Sequence, residues 1–411
     1  MVHWTISFCG EPLLTRHNPA ITPPQSSGKA EVRMVQRFDL AIVGGSFAGL
    51  ACARSAALRG LKVAVLDAKP DPGLRVRTTG IVVKEASDAF DLPARMMRKV
   101  PGVRLYAPDN RSLDLSAPGY FFQATDMPAL MRWMAEEAAR AGASLMHGRK
   151  FDGGLEYERG VAIGDLHASF LVGADGAKSR VAEAFGLDEN SRFLAGLEIE
   201  CEPLAGVDGR FLHCFADSRI APGYIAWMVP GVDATQIGLA VSRPQRPELG
   251  AFLRRLKDFF DIREIRVTSR RSGLIPCGGV VRKLGSRRVM LVGDAAGMVS
   301  PVTGGGIHTA LHYGRRAAVL IANHLGHRGP DPVAMMAREA PRFGAKLWLR
   351  RALDLSPPNP LINALLMTAP ARRLAQRLYF HSRGESGESF EAWSREFARQ
   401  EQAARADLRV V

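Results

Sequence analysis

The first sustained apolar run, FDLAIVG over Phe38–Gly44, is too short for a stable helix and ends in paired glycines, so it predicts a buried strand. Phe47–Leu58 follows with small residues on one side and predicts a helix; Lys62–Asp67 (KVAVLD) predicts a second buried strand. A strand, helix and strand at this spacing begin a parallel sheet. Further along, Val103–Tyr106 and Ser112–Leu115 read as short strands around Pro108-Asp109-Asn110, and Pro128–Ala141 as a helix closed by Gly142. Phe170–Gly173 is another buried strand, and residues 195–242 alternate as antiparallel strands do. Phe252–Phe260 predicts a short helix, Arg288–Val292 a strand running into glycines, and Ile307–Leu325 a long helix. Residues 331–411 read as mostly helical, broken at Ser356–Pro360. Residues 1–35 lack periodicity and read as a disordered extension, with Met34 an alternative start.

Composition narrows the class. The 411 residues are 46% hydrophobic and 23% charged, ordinary for a folded protein of two or three domains. No apolar stretch reaches the ~18 residues of a membrane-spanning helix, and the N-terminus lacks the apolar core of a secretory signal. Cys9, Cys52, Cys201, Cys214 and Cys277 are scattered and odd in number, which argues against a disulfide framework and a zinc site. Buried free thiols and a reducing cytoplasm are expected. The net charge of +14 comes mainly from arginines spread along the chain without a nucleic-acid-binding motif. It therefore reads as a surface bias, with nucleic acid excluded as a partner.

Three segments carry chemistry. Gly44-Gly45-Ser46-Phe47-Ala48-Gly49 joins the first strand to the first helix, close to the GxGxxG of dinucleotide sites, with Ser46 in place of the middle glycine. Gly44 would make the tight turn, and Gly49 would let the helix approach the strand. The helix N-terminus would face a pyrophosphate. Asp67, ending the second strand, stands where a carboxylate accepts hydrogen bonds from a ribose. The second segment is Gly173-Ala174-Asp175-Gly176. The third is Gly293-Asp294-Ala295-Ala296-Gly297 with Pro301–Ile307, where Asp294 could hold a polyol chain. The N–H groups around Gly305, Gly306 and Ile307 could stabilise negative charge on a reduced ring.

In this order the three segments are similar to those of FAD-dependent oxidoreductases with the para-hydroxybenzoate hydroxylase fold. The run GDAAGMVSPVTGGGIHTAL, Gly273-Leu274-Ile275-Pro276 and the stretch from Pro222 to Pro230 resemble the geranylgeranyl reductase family, which saturates isoprenoid chains. The resemblance implies an α/β fold: a Rossmann-type FAD-binding domain, an interleaved antiparallel β-sheet substrate domain and a helical C-terminal region. It puts FAD on Gly44, Gly45, Ser46, Gly49, Asp67, Asp175, Asp294, Gly305, Gly306 and Ile307, and it puts Tyr224 and Trp227 on the substrate side. Two departures stand out: Asp71–Gly80 holds no cysteine, and Met127-Pro128 replaces a usual arginine. The FAD-binding domain is expected over 36–97, 123–190 and 273–330, the substrate domain over 98–122 and 191–272, and the helical region over 331–411.

Of the remaining residues, Tyr120, Phe121 and Phe122 are candidate channel residues, and Arg75 and Arg77 candidate contacts to cofactor or an anionic substrate head. His308 and His312 lack a third ligand at metal spacing, so no metal is expected. Residues 342–377 hold seven Lys or Arg and the single acid Asp354 among apolar residues, a pattern suited to peripheral contact with an anionic membrane or to packing on the FAD domain. The expected function is an FAD-dependent oxidoreductase that saturates C=C bonds of an isoprenoid or related lipid, with NADPH or a ferredoxin as electron donor. The alternatives are a monooxygenase of the same fold and a flavin-containing binding protein.

Overall fold

A computed structural model describes residues 35–262 and 264–380. The extension over 1–34, including Cys9, and the chain after 380 lie outside the described residues. In chain order the strands are β1 (Gln36–Val43), β2 (Val63–Asp67), β3 (Ile81–Val83), β4 (Met97–Val100), β5 (Gly102–Tyr106), β6 (Ser112–Ser116), β7 (Phe122–Thr125), β8 (Ser144–His147), β9 (Leu155–Tyr157), β10 (Gly160–Ile163), β11 (Leu166–Gly173), β12 (Phe193–Cys201), β13 (Phe211–Phe215), β14 (Ala226–Pro230), β15 (Thr235–Ser242), β16 (Val267–Pro276) and β17 (Val289–Leu291). The helices are α1 (Phe47–Ala57), α2 (Lys84–Phe90), α3 (Met127–Arg140), α4 (Arg180–Ala184), α5 (Leu249–Leu256), α6 (Ile307–Leu325), α7 (Pro332–Glu339), α8 (Gly344–Asp354), α9 (Asn359–Leu366) and α10 (Ala369–Phe380).

The first sheet runs β8-β2-β1-β11-β10-β9, with β17 also on β11. β8, β2, β1, β11 and β17 are parallel. β2 is buried throughout and β1 over Leu40–Val43, as a parallel sheet covered on both faces requires. α1 and α6 lie together on this sheet, so close that a Cβ on Gly314 would sit 2.3 Å from Ala48 O.

The second sheet, β16-β12-β15-β14-β13-β5-β6, is mostly antiparallel. Its two faces follow the residue alternation. Ile237, Leu239 and Val241 pack with Phe252 and Leu256 of α5. Gly238 and Ala240 turn to the other face, where Trp227 lies flat over Gly238; a Cβ there would be 2.7 Å from the ring. That face, thinned by small residues, borders the site.

The observed elements match the expected α/β class with an antiparallel substrate sheet. Three differences have physical reasons. β3, β7 and β4 form a separate three-stranded sheet, so the span 98–122 does not belong wholly to the substrate sheet. β16 was not expected: it is an edge strand whose sequence VTSRRSGLIP is half exposed and lacks a clean alternation, and it runs through the boundary at 272/273. α5 begins and ends earlier than predicted, because Phe259 and Phe260 leave the helix to pack edge-on against Tyr106. The break at Ser356–Pro360 separates α8 from α9, whose first turn uses Pro360 where proline suits a helix. Cys52, Cys201, Cys214 and Cys277 are buried free thiols; burial pushes Cys52 and Cys214 up to about 12.

Candidate functional site

The turn after β1 is built from glycines that the protein itself demands. Gly44 has φ of +105°, and a Cβ there would meet Ala174 O at 2.3 Å. A Cβ on Gly49 would meet Gly44 O at 1.8 Å, so α1 can lie on β1 only without a side chain at this position. Gly45 N donates to Asp67 Oδ2 at 2.9 Å, and a Cβ on Gly45 would strike that same carboxylate. Ser46 stands at the N-cap of α1 without capping it; its hydroxyl reaches Met131 Sδ at 3.9 Å. The first N–H groups of α1 thus have no intrahelical acceptor and open on a cavity lined by Gly44–Ala48.

The three acidic residues singled out in the sequence differ in what they have to spare. Asp67 accepts from Gly45 N and Lys69 N, both at 2.9 Å, which ties the tips of β1 and β2 together. Asp175 accepts from Ser179 Oγ at 2.7 Å, Arg180 N at 2.7 Å and Val181 N at 3.1 Å. Its carboxylate holds the start of α4 and is largely spent on that turn. Asp294 has no donor to its carboxylate among the described residues. Burial alone pushes it up to about 6. Its backbone is held by Asn190 Nδ2, 2.8 Å from Asp294 O. A half-buried carboxylate at the cavity wall with no donor among the described residues can accept from a ligand's hydroxyl groups.

Beside Asp294 the chain makes the loop Ser300–Gly306, with φ of +63° at Gly304, and enters α6 at Ile307. A Cβ on Gly306 would lie 3.2 Å from Asp294 Oδ1. The Tyr224 hydroxyl donates to Thr303 O at 2.5 Å and pins this loop to the substrate sheet. All the residues from these segments that the sequence nominated, except Gly49, line one cavity of about 1960 Å³. Ordinary ligand pockets hold roughly 300–1,000 Å³, so a cofactor and a second large ligand both have room. Part of its lining is one apolar cluster that includes Leu105, Cys214, Val229, Leu366 and Tyr379.

The residues fit an FAD: a glycine turn at a helix start, a carboxylate at the tip of β2, and an unpartnered carboxylate beside a glycine loop. The chain matches the FAD binding domain family over residues 37–348. It is 31% identical over 326 residues to digeranylgeranylglycerophospholipid reductase of Methanothrix thermoacetophila, covering 74% of this chain and 82% of the relative. This chain belongs to the geranylgeranyl reductase family of FAD-dependent oxidoreductases. Its fold is shared with a geranylgeranyl bacteriochlorophyll reductase-like protein of Thermoplasma acidophilum, at a TM-score of 0.74 and 21% identity over 84% of this chain and 97% of that one. A probable FAD-dependent monooxygenase of Pseudomonas aeruginosa shares it at a TM-score of 0.63 and 20% identity, over 81% and 100%.

Within this family member, Tyr224 and Trp227 both border the cavity and pack with Leu194, Ala240 and Ile275. Tyr120 and Phe122 line it too, whereas Phe121 lies between Lys84 and Lys99, 5.6 and 4.6 Å from its ring. Arg75 and Arg77 are exposed at the cavity edge without a salt bridge among the described residues. His308 and His312 border the cavity on α6, and burial lowers both, His308 to about 4. Among the described residues no group of side chains could hold a metal ion.

Sequence reading passed over Thr79, Glu198 and Arg271, which meet on the substrate side. Glu198 Oε2 accepts from the Thr79 hydroxyl at 2.5 Å and from Trp227 Nε1 at 2.7 Å. Arg271 Nε lies 3.5 Å from Glu198 Oε1, and its other arm bonds Glu200. The one signal was an acid inside the otherwise apolar run FLAGLEI.

Proposed function

We propose that this chain reduces C=C bonds of a polyprenyl lipid with FAD, which when bound supplies the hydride. Gly44, Gly45, Ser46 and the first turn of α1 would receive the pyrophosphate, with Gly49 allowing that turn its position and Asp67 taking the ribose. Asp294 would accept from the ribityl hydroxyls, and Gly305–Ile307 would face the ring, with Asp175 keeping the second glycine turn in place. The observation that carries the reading is the cavity. It joins these groups to apolar lining from α9 and α10, Leu366, Ala375, Leu378 and Tyr379, together with Tyr224 and Trp227. The names of the curated relatives support the same substrate class. Electrons come from NADPH or a ferredoxin.

The lipid would arrive from a membrane surface. Among the described residues no helix is long and apolar enough to cross a membrane. α8–α10 instead expose Trp348 (71%), Leu355 (83%), Leu361, Leu365 and Leu374. Arg351, Arg372, Arg373 and Arg377 are exposed on the same helices. Exposed apolar residues flanked by cations suit an anionic bilayer. Ile362 and Leu366, next to the exposed Leu361 and Leu365 in the chain, border the cavity. Arg350 does not belong to this face. It is fully buried, bonding Gly223 O and, at 3.0 Å, Asp354.

The test is anaerobic single turnover. Chemically reduced holoprotein is mixed with polyprenyl lipids, and the expected product carries two more hydrogens per saturated bond as the flavin reoxidises. A product that forms only with oxygen and gains one oxygen atom would overturn the reading in favour of hydroxylation. Parallel turnovers with NADPH or reduced ferredoxin replacing the chemical reductant identify the donor.

A further inference from the structure

Saturating a double bond takes a hydride and a proton. The hydride is the flavin's; the proton needs a source on the substrate side of the cavity. Candidate acids there are few. Glu198 is buried at 4% exposure, on the cavity-facing side of β12. Its Oε1 is buried with no hydrogen bond, while Oε2 is shared by Thr79 and Trp227. Thr79, half-buried, also borders the cavity, on the loop that follows β2. Trp227 and Tyr224 pack in one cluster, and Tyr224 reaches Thr303. A continuous set of contacts therefore links Thr79 through Glu198 to the glycine loop proposed to face the flavin.

We propose that Glu198, acting through the Thr79 hydroxyl, supplies the proton that completes reduction of the substrate double bond. The inference rests on the reductase reading above. The π bond breaks and two C–H bonds form. Both electrons of one come with the hydride, leaving the flavin oxidised. The other takes the Thr79 hydroxyl proton: the hydroxyl, which rests donating to Glu198 Oε2, rotates toward the substrate and takes the Glu198 proton in the same step. No further oxidant or reductant is needed. The carboxylate left behind keeps the Trp227 N–H and faces Arg271, so the charge it acquires is met by a donor and a cation already in place. Solvent reprotonates it once product leaves. Burial holds the Glu198 carboxyl above the usual range against the lowering pull of Arg271, Thr79 and Trp227, with Glu200 adding to the rise. Burial thus carries the proton-bearing form to higher pH than an exposed glutamate allows. Thr79 is the group at the substrate; Glu198 is a positioned proton source behind it.

The test uses FAD-loaded protein and the E198Q, T79V and T79S variants. Infrared difference spectra between wild type and E198Q, taken near neutral pH, should show the carbonyl stretch of a protonated carboxyl lost in the variant. Anaerobic single turnover with polyprenyl lipid should slow roughly 100-fold in E198Q and T79V, the scale of a lost general acid. T79S should stay near wild type, with FAD content unchanged in all three. The wild-type rate should fall as pH rises, because the protonated form is active, and the E198Q profile should be flat. Wild-type rates in E198Q or T79V, or an ionised Glu198 in the spectra, would overturn the relay while leaving the reductase reading intact. A wild-type protein that reduces no polyprenyl lipid would sink both. T79V removes only a hydroxyl and tests the relay even where E198Q folds poorly.

Discussion

Asp294 shows how the surroundings of a single residue link stability to cofactor binding. No donor among the described residues reaches its half-buried carboxyl, and burial alone lifts it to about 6 from 3.8. In FAD-free protein the folded state keeps a proton that the unfolded chain has lost between those values. Stability from this group is complete below pH 3.8 and declines as pH rises to about 6. Asp294→Asn should therefore raise the melting temperature of FAD-free protein at pH 7 to 8, with the gain vanishing near pH 4. The same variant should weaken FAD binding by ~1.5–3 kcal/mol, the worth of a hydrogen bond to a charged group. Titrating FAD into both proteins by fluorescence checks this; unchanged affinity would mean that the carboxylate does not touch the cofactor. At Tyr224 and Trp227 the expectation is reversed. Alanine at either should impair lipid turnover far more than FAD content, since Trp227 lies on β14 and Tyr224 in the turn that leads into it.

At the scale of elements, the junction of β1 and α1 is the most constrained part of the site. Gly49→Ala would force a methyl group against Gly44 O, and neither backbone can withdraw without separating helix from sheet. Overpacking of this kind costs ~1–3 kcal/mol or more. We expect lower thermal stability together with loss of FAD, read by differential scanning and flavin absorbance. Gly305→Ala, whose Cβ would meet only the Thr303 hydroxyl at 3.3 Å, should fold normally. These elements were legible in the sequence because a buried strand, a glycine turn and a small-faced helix are local patterns. β16 and the three-stranded sheet were not. Short or edge strands derive their stability from partners distant in the chain, and their own residues carry little periodicity.

For the whole molecule, the surface of α8–α10 decides how a lipid reaches the cavity. Reversing the charge at Arg351, Arg372 and Arg373 should weaken binding to anionic vesicles roughly 100-fold or more, at ~1 kcal/mol per cation near the surface. The loss should shrink in high salt. Equal affinity for anionic and neutral vesicles in the parent protein would remove the membrane from the account. Arg350 must be left out of that design. The sequence offers Arg350 and Arg351 as equal neighbours, but the first is enclosed beneath Gly223 and Ser242 and the second stacks outward near Trp348, 4.9 Å from its ring.

The sequence by itself determined the cofactor class and the frame that holds it. Gly44–Gly49, Asp67, Asp294 and the Gly304–Gly306 run are recognisable because a phosphate at a helix start and a carboxylate at a strand end constrain residues only a few positions apart. Tertiary structure decided which of those carboxylates remains free. Asp175 is consumed by the start of α4, and Asp294 is not. It also brought Thr79 and Glu198, 119 residues apart, within 2.5 Å of each other, and set Arg271 opposite Glu198 through the pairing of β12 with β16. No local pattern encodes such a meeting, because it depends on strand register and on the packing of a loop from one sheet against the face of another.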